Sequence, residues 1–165
     1  MRDALEAIGI DAELTQDLST GSIHNLGEFD AVAFGRAVPE LKRERIRAEF
    51  RAANPDVVFV DGLAPITPLL VAQFQEALDR RPPSDRLITD LTVDHDRVSL
   101  GVRSDCQITL MFYRLDRLHR TRVDVLTTKL SAGRHAVQVP KPATRAKEFF
   151  TVVRTEHEVR VATPV

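Results

Sequence analysis

The chain has no tryptophan, one tyrosine and one cysteine in 165 residues, and aromatic side chains make up only 5%. So few flat rings argue against a stacking platform for bases or sugars. The lone Cys106 excludes an internal disulfide and a zinc site built from cysteines alone. It suits a reducing, cytoplasmic setting. An excess of one charge is also missing: Lys+Arg is 23 against Asp+Glu 24, a formal net charge of −1. No overall field draws such a chain onto nucleic acid or an anionic membrane. Nor does it contain a run of about 18 apolar residues, so no helical membrane span is expected. The first residues lack the basic segment and apolar stretch of a secretion signal. Neither G-x-G-x-x-G nor G-x-x-x-x-G-K-[ST] occurs, and there is no G-x-S-x-G elbow. The usual phosphate cradles and the exposed serine nucleophile therefore have no sequence basis.

What is present is a core-forming chain, 43% hydrophobic and 28% charged, with two distinct patterns. In the first half, helical and apolar runs alternate. Asp3 to Ile8 reads as a short helix stopped by Gly9, and Ile10 to Leu14 as a short strand. Phe29 to Phe34 and Asp56 to Val60 are compact apolar runs without alternation, the pattern of strands covered on both faces. Between them Pro39 suits a helix start and Glu40 to Ala53 its body, with Leu41, Ile46, Phe50 and Ala53 as the apolar stripe. The basic cluster Lys42, Arg43, Arg45, Arg47 and Arg51 reads as the solvated face of this helix. Thr67 and Pro68 open a second helix whose Leu69, Leu70, Phe74, Ala77 and Leu78 fall on one face. A preceding strand with a glycine-rich turn would be expected ahead of Met1 in such a rhythm, and the chain begins after it.

The breaker cluster Arg81-Pro82-Pro83-Ser84-Asp85 divides the chain into an α/β domain over 1–81, a linker over 82–85 and a β domain over 86–165. Beyond it the period changes from 3.6 to 2. Strands are expected over Leu87–Val93, Arg97–Arg103, Gln107–Tyr113, Arg122–Thr128, His135–Val139, Glu148–Val153 and Glu158–Val161. Several alternate apolar with polar residues, as strands with one wet face do. Turn chemistry separates them, as at Asp94-His95-Asp96, Ser131-Ala132-Gly133 and Pro140-Lys141-Pro142. Seven short strands in about 80 residues resemble an immunoglobulin-like or fibronectin-like antiparallel β-sandwich. Arg114, Arg117, Arg120 and Arg122 with His119 read as a solvated hairpin, its charges guarding a sheet edge.

In an open parallel sheet, ligands bind beyond the carboxyl ends of the strands. That rule singles out Asp17, Gly35 with Arg36, and Asp61 with Gly62. Arg36 lies just before the Pro39 helix start, where a guanidinium and a helix N-terminus converge on an anion. The Asp94-His95-Asp96 and Glu156-His157-Glu158 triplets lack the spacing of a helical metal site and read as solvated turns.

Asp11 to Arg36 resembles the second and later strands of a Rossmann-type reductase or epimerase, through Gln16-Asp17-Leu18-Ser19 and Phe29-Asp30-Ala31-Val32. The resemblance implies that Asp17 lies near the adenine ring of an NAD(P) cofactor. The glycine-rich turn and the Tyr-x-x-x-Lys pair of that family have no counterpart in this sequence. Pro55-Asp56-Val57-Val58-Phe59-Val60-Asp61, with Pro65 beyond it, is similar to the phosphoacceptor strand of response-regulator receiver domains. That similarity implies Asp61 as acceptor, without the acidic pair and the lysine that support it there.

The expectation is a non-catalytic, degenerate two-domain binding or interaction protein, with no catalytic or metal-ligating residue and no cofactor. A protein partner or a second copy would meet it through an open sheet edge, with no membrane or nucleic acid involved. The alternative is a nucleotide-dependent oxidoreductase-like protein, or a fragment of one, binding NAD(P) at the strand ends.

Overall fold

Apolar side chains that do not alternate need cover on two sides, and the first unit supplies it. The computed structural model describes residues 1–15, 25–35, 37–61, 66–94, 96–115, 121–139 and 148–164. These fall into two compact units, Met1–Asp79 and Arg80–Val165. In the first, strands β1 (Ala31–Phe34) and β2 (Val58–Asp61) form a two-stranded parallel sheet, with Phe34 opposite Asp61. The crossover helix α2 (Glu40–Ala53) covers one face, where Ile46 and Phe50 meet Phe34 and Val57, with Val32 and Phe59 beside them. Helices α1 (Arg2–Glu6) and α3 (Thr67–Ala77) cover the other, where Leu5, Leu70 and Phe74 meet Val60, with Ala31 and Ala33 beside them. Successive strand residues thus point to opposite layers, both apolar.

Gly9, at φ +80, takes the left-handed conformation that ends the first helix, and Ile10 N–H returns to the Leu5 carbonyl at 3.0 Å. The expected strand over Ile10–Leu14 is not formed. Ile10 and Ala12 pack onto the Leu5–Val60–Leu70–Phe74 cluster while their backbone joins no ladder, and Leu14 is 70% exposed. Alternation alone places side chains on two sides; a strand also needs a partner at ladder distance. Pro39 and Ile66 cap their helices from outside, so Thr67 is already helical.

The second unit contains all seven expected strands: β3 (Ile88–Val93), β4 (Arg97–Val102), β5 (Cys106–Leu115), β6 (Thr121–Leu130), β7 (Gly133–Gln138), β8 (Glu148–Arg154) and β9 (Val159–Ala162). They form two antiparallel sheets, ordered β3-β4-β7 and β6-β5-β8-β9. Both contribute to one apolar cluster, with Ile88, Val98 and Leu100 from the first and Ile108, Leu110, Phe112 and Val153 from the second. Phe112 stacks on Phe149 with centroids 6.1 Å apart. Glu158, 2% exposed, ties the sheets at their rim: its Oε2 accepts from the N–H groups of Leu87 (2.7 Å) and Ile88 (3.2 Å). Arg114, expected in a solvated hairpin, is instead buried and ion-paired with Asp124 across the β5–β6 ladder. Arg117, His119 and Arg120 of that reading lie outside the described residues.

Candidate functional site

The carboxyl ends of β1 and β2 are the place where an α/β layer presents chemistry. Gly35 and Asp61 stand there, each just past or at the end of its strand. Asp17, Arg36 and Gly62 lie outside the described residues. Among the described residues, a pair of guanidinium groups from α2 meets the strand ends.

The inner stripe of α2 runs Arg43, Ile46, Arg47, Phe50, at intervals of three, one and three. Leu41, expected on that stripe, is 83% exposed, and Ala53 is exposed too. Arg43 and Arg47, expected in solvent, have side chains only 17% and 21% exposed. Their charged heads reach the polar groups at the strand ends. A leucine at 41 has no such head. It takes the outer face because the two arginines fill the rotation of the helix that faces the strands.

Arg43 divides its donors between the chain that follows β1 and the end of β2. Its Nε donates to the Val38 carbonyl at 2.9 Å, one terminal nitrogen to the Gly35 carbonyl at 3.1 Å, and the other to Asp61 Oδ1 at 3.3 Å. Arg47 donates to both Asp61 oxygens, at 3.0 and 3.2 Å, and to Glu40 Oε1 at 2.9 Å. Its guanidinium also sits over the Phe34 ring, 5.2 Å from the centroid. Phe34 in turn stacks on Phe59, and Arg51 covers Phe59 at 5.1 Å. Cation, ring, ring and cation therefore form a continuous layer between α2 and the sheet.

The arrangement is a surface clasp, with the Asp61 side chain 61% exposed. Asp61 directs its lone pairs at two guanidinium groups, which compete with any cation for the same oxygens. The Gly35 carbonyl is likewise taken. No protein-family model matches this chain, and no curated protein matches it either. Among the described residues, no group of three His, Cys, Asp or Glu side chains is placed to hold a metal ion. No helix among them is long and apolar enough to cross a membrane.

Burial pushes the Cys106 thiol up, and the charges of Asp105 and Glu158 push it the same way. This opposes the thiolate that a nucleophile needs. Its side chain packs against the cluster shared by the two sheets. The signal for Arg43 and Arg47 was present in the sequence as an i, i+4 pair of long cations in the helix joining two parallel strands. Which face they occupied depended on Asp61, whose nearness follows from the parallel return of β2.

Proposed function

We propose that this chain is a non-catalytic interaction protein: a Rossmann-like α/β unit joined to a fibronectin-like or immunoglobulin-like β unit that carries the binding surface. The observation that carries the reading is the engagement of Asp61, its side chain 61% exposed, by Arg43 and Arg47 at the strand ends. The three-plus-four strand order, β3-β4-β7 and β6-β5-β8-β9, supports the sandwich assignment, because interaction modules of this architecture present loops and strand edges to partners. The competing reading is an oxidoreductase-like protein that takes NAD(P) at the strand ends, beside the Arg43–Asp61–Arg47 cluster.

Thermal unfolding with and without NAD(P) separates the two. A nucleotide that binds the folded state stabilises it by about 2.7 kcal/mol at about 100 times its dissociation constant. The interaction reading expects no shift in midpoint with NAD(H) or NADP(H). A saturable upward shift overturns it and assigns the strand ends to a cofactor.

A further inference from the structure

The inner face of β5 and β6 ends in charge. Along this face β5 places Leu110, Phe112 and Arg114, and the ladder sets Leu126, Asp124 and Arg122 directly opposite them. Leu110 and Phe112 belong to the apolar cluster shared by the two sheets. Arg114 is the next residue outward on the same face and is still only 8% exposed. On its other side β8 sets Phe149 against it. Arg122 lies across from it on β6, with the two Cβ atoms about 5 Å apart, and like charges so placed oppose pairing.

The described residues answer this pair of cations only in part. Arg114 is ion-paired with Asp124, whose side chain is 41% exposed, yet the Arg114 Nε–H is buried and meets no acceptor. Arg122 is exposed and has no ion-pair or hydrogen-bond partner among the described residues. Two guanidinium groups against one carboxylate leave an excess of positive charge. A buried donor without an acceptor is costly as well. One anion between the two guanidinium groups relieves both. A phosphate group suits that place, because its several oxygens can accept from two planar forks at once.

We propose that Arg114 and Arg122, at the outer end of the β5–β6 ladder, form a binding site for a phosphate group. Arg122 supplies the exposed guanidinium that meets the anion first. Arg114 turns its orphaned donor to the same group of oxygens and remains paired with Asp124. The site goes beyond the interaction reading above and does not depend on it. Free phosphate and a phosphomonoester offer the same chemistry, and the test separates them.

The full chain is titrated with inorganic phosphate and, separately, with O-phosphoserine. Sodium chloride holds the ionic strength constant, so general screening does not change. Heteronuclear NMR follows the Nε–H of Arg114, a reporter that is local to the β5–β6 ladder. Its signal should shift and saturate, with half-saturation below about 10 mM phosphate. Arg122→Gln, at an exposed position, should weaken binding about tenfold through loss of one charge-assisted contact. Arg134→Gln removes the same charge from the other sheet and should leave the affinity unchanged. Tighter binding of O-phosphoserine than of phosphate would make the ligand a phosphomonoester, and equal or weaker binding would make it the free anion. The proposal is overturned if the Arg114 signal stays in place up to about 50 mM phosphate, or if Arg122→Gln binds as tightly as the wild type. It is also overturned if Arg134→Gln weakens binding as much as Arg122→Gln, since the response would then follow net charge rather than a site.

Discussion

Tyr113 shows how one side chain reports on its surroundings. It is 4% exposed, and burial pushes its phenol above the ordinary value of 10.0, with the charge of Arg154 pulling weakly the other way. A group whose folded value is raised contributes fully below the unfolded value, and that contribution is lost as pH rises towards the folded one. Stability should therefore fall as pH climbs past the ordinary phenol range. As the only tyrosine in a chain without tryptophan, its ionisation is a clean optical signal. Tyrosinate absorbance followed through an alkaline titration should give a higher midpoint in the native protein than in urea. Coincident midpoints would contradict the burial. Arg43 and Arg47 make a related point about sequence reading. Guanidinium groups on a helix are placed in solvent by default, yet here a carboxylate 14 and 18 residues away decides their face.

At the scale of elements, β3 and β4 meet with an irregular register. Their ladder shifts between Thr89 and Thr92, and Asp90 sits at φ +51, the left-handed region that aspartate tolerates better than most residues. Opposite Thr89 stands Gly101, in the central strand of its sheet. A Cβ added there would press on the Thr89 hydroxyl and come within 3.4 Å of the Thr89 carbonyl oxygen. The glycine is therefore set by close approach of the neighbouring strand, not by backbone angle. Gly101→Ala should cost about 1–3 kcal/mol in urea unfolding. Adding Thr89→Ala to it should recover much of that loss, since the two residues share one contact. An unrecovered double variant would place the strain elsewhere.

For the β unit as a whole, Glu158 joins what the ladders leave separate. Just before β9 in one sheet, it accepts from the first N–H groups at the start of β3 in the other. Thr155 holds its backbone on both sides: the Thr155 hydroxyl accepts from Glu158 N–H at 2.9 Å, and Thr155 N–H donates to the Glu158 carbonyl at 2.8 Å. Glu158→Ala strands two donors in a buried place and should lower stability by about 2–3 kcal/mol. Glu158→Gln keeps an acceptor there and should retain more than half of that contribution, as measured by denaturant midpoint at constant slope. Equal losses in the two variants would mean that charge, not hydrogen bonding, joins the sheets.

Local order was legible from the residues in turn. The change of period after Arg81-Pro82-Pro83-Ser84-Asp85 separated helices from strands, and alternation with intervening turn residues located β3 to β9. Both signals are carried by neighbours a few positions apart, which is the range over which backbone angle and side-chain direction are set. Adjacency was not legible. Ile10–Leu14 alternates like a strand and finds no ladder, and Arg43 and Arg47 turn inward to Asp61. The order β6-β5-β8-β9 leaves β6 at an edge with its valines exposed. Each of these depends on which distant segment arrives alongside. Only chain folding in three dimensions decides that, because the energies of ladders, ion pairs and burial belong to pairs of residues rather than to single positions.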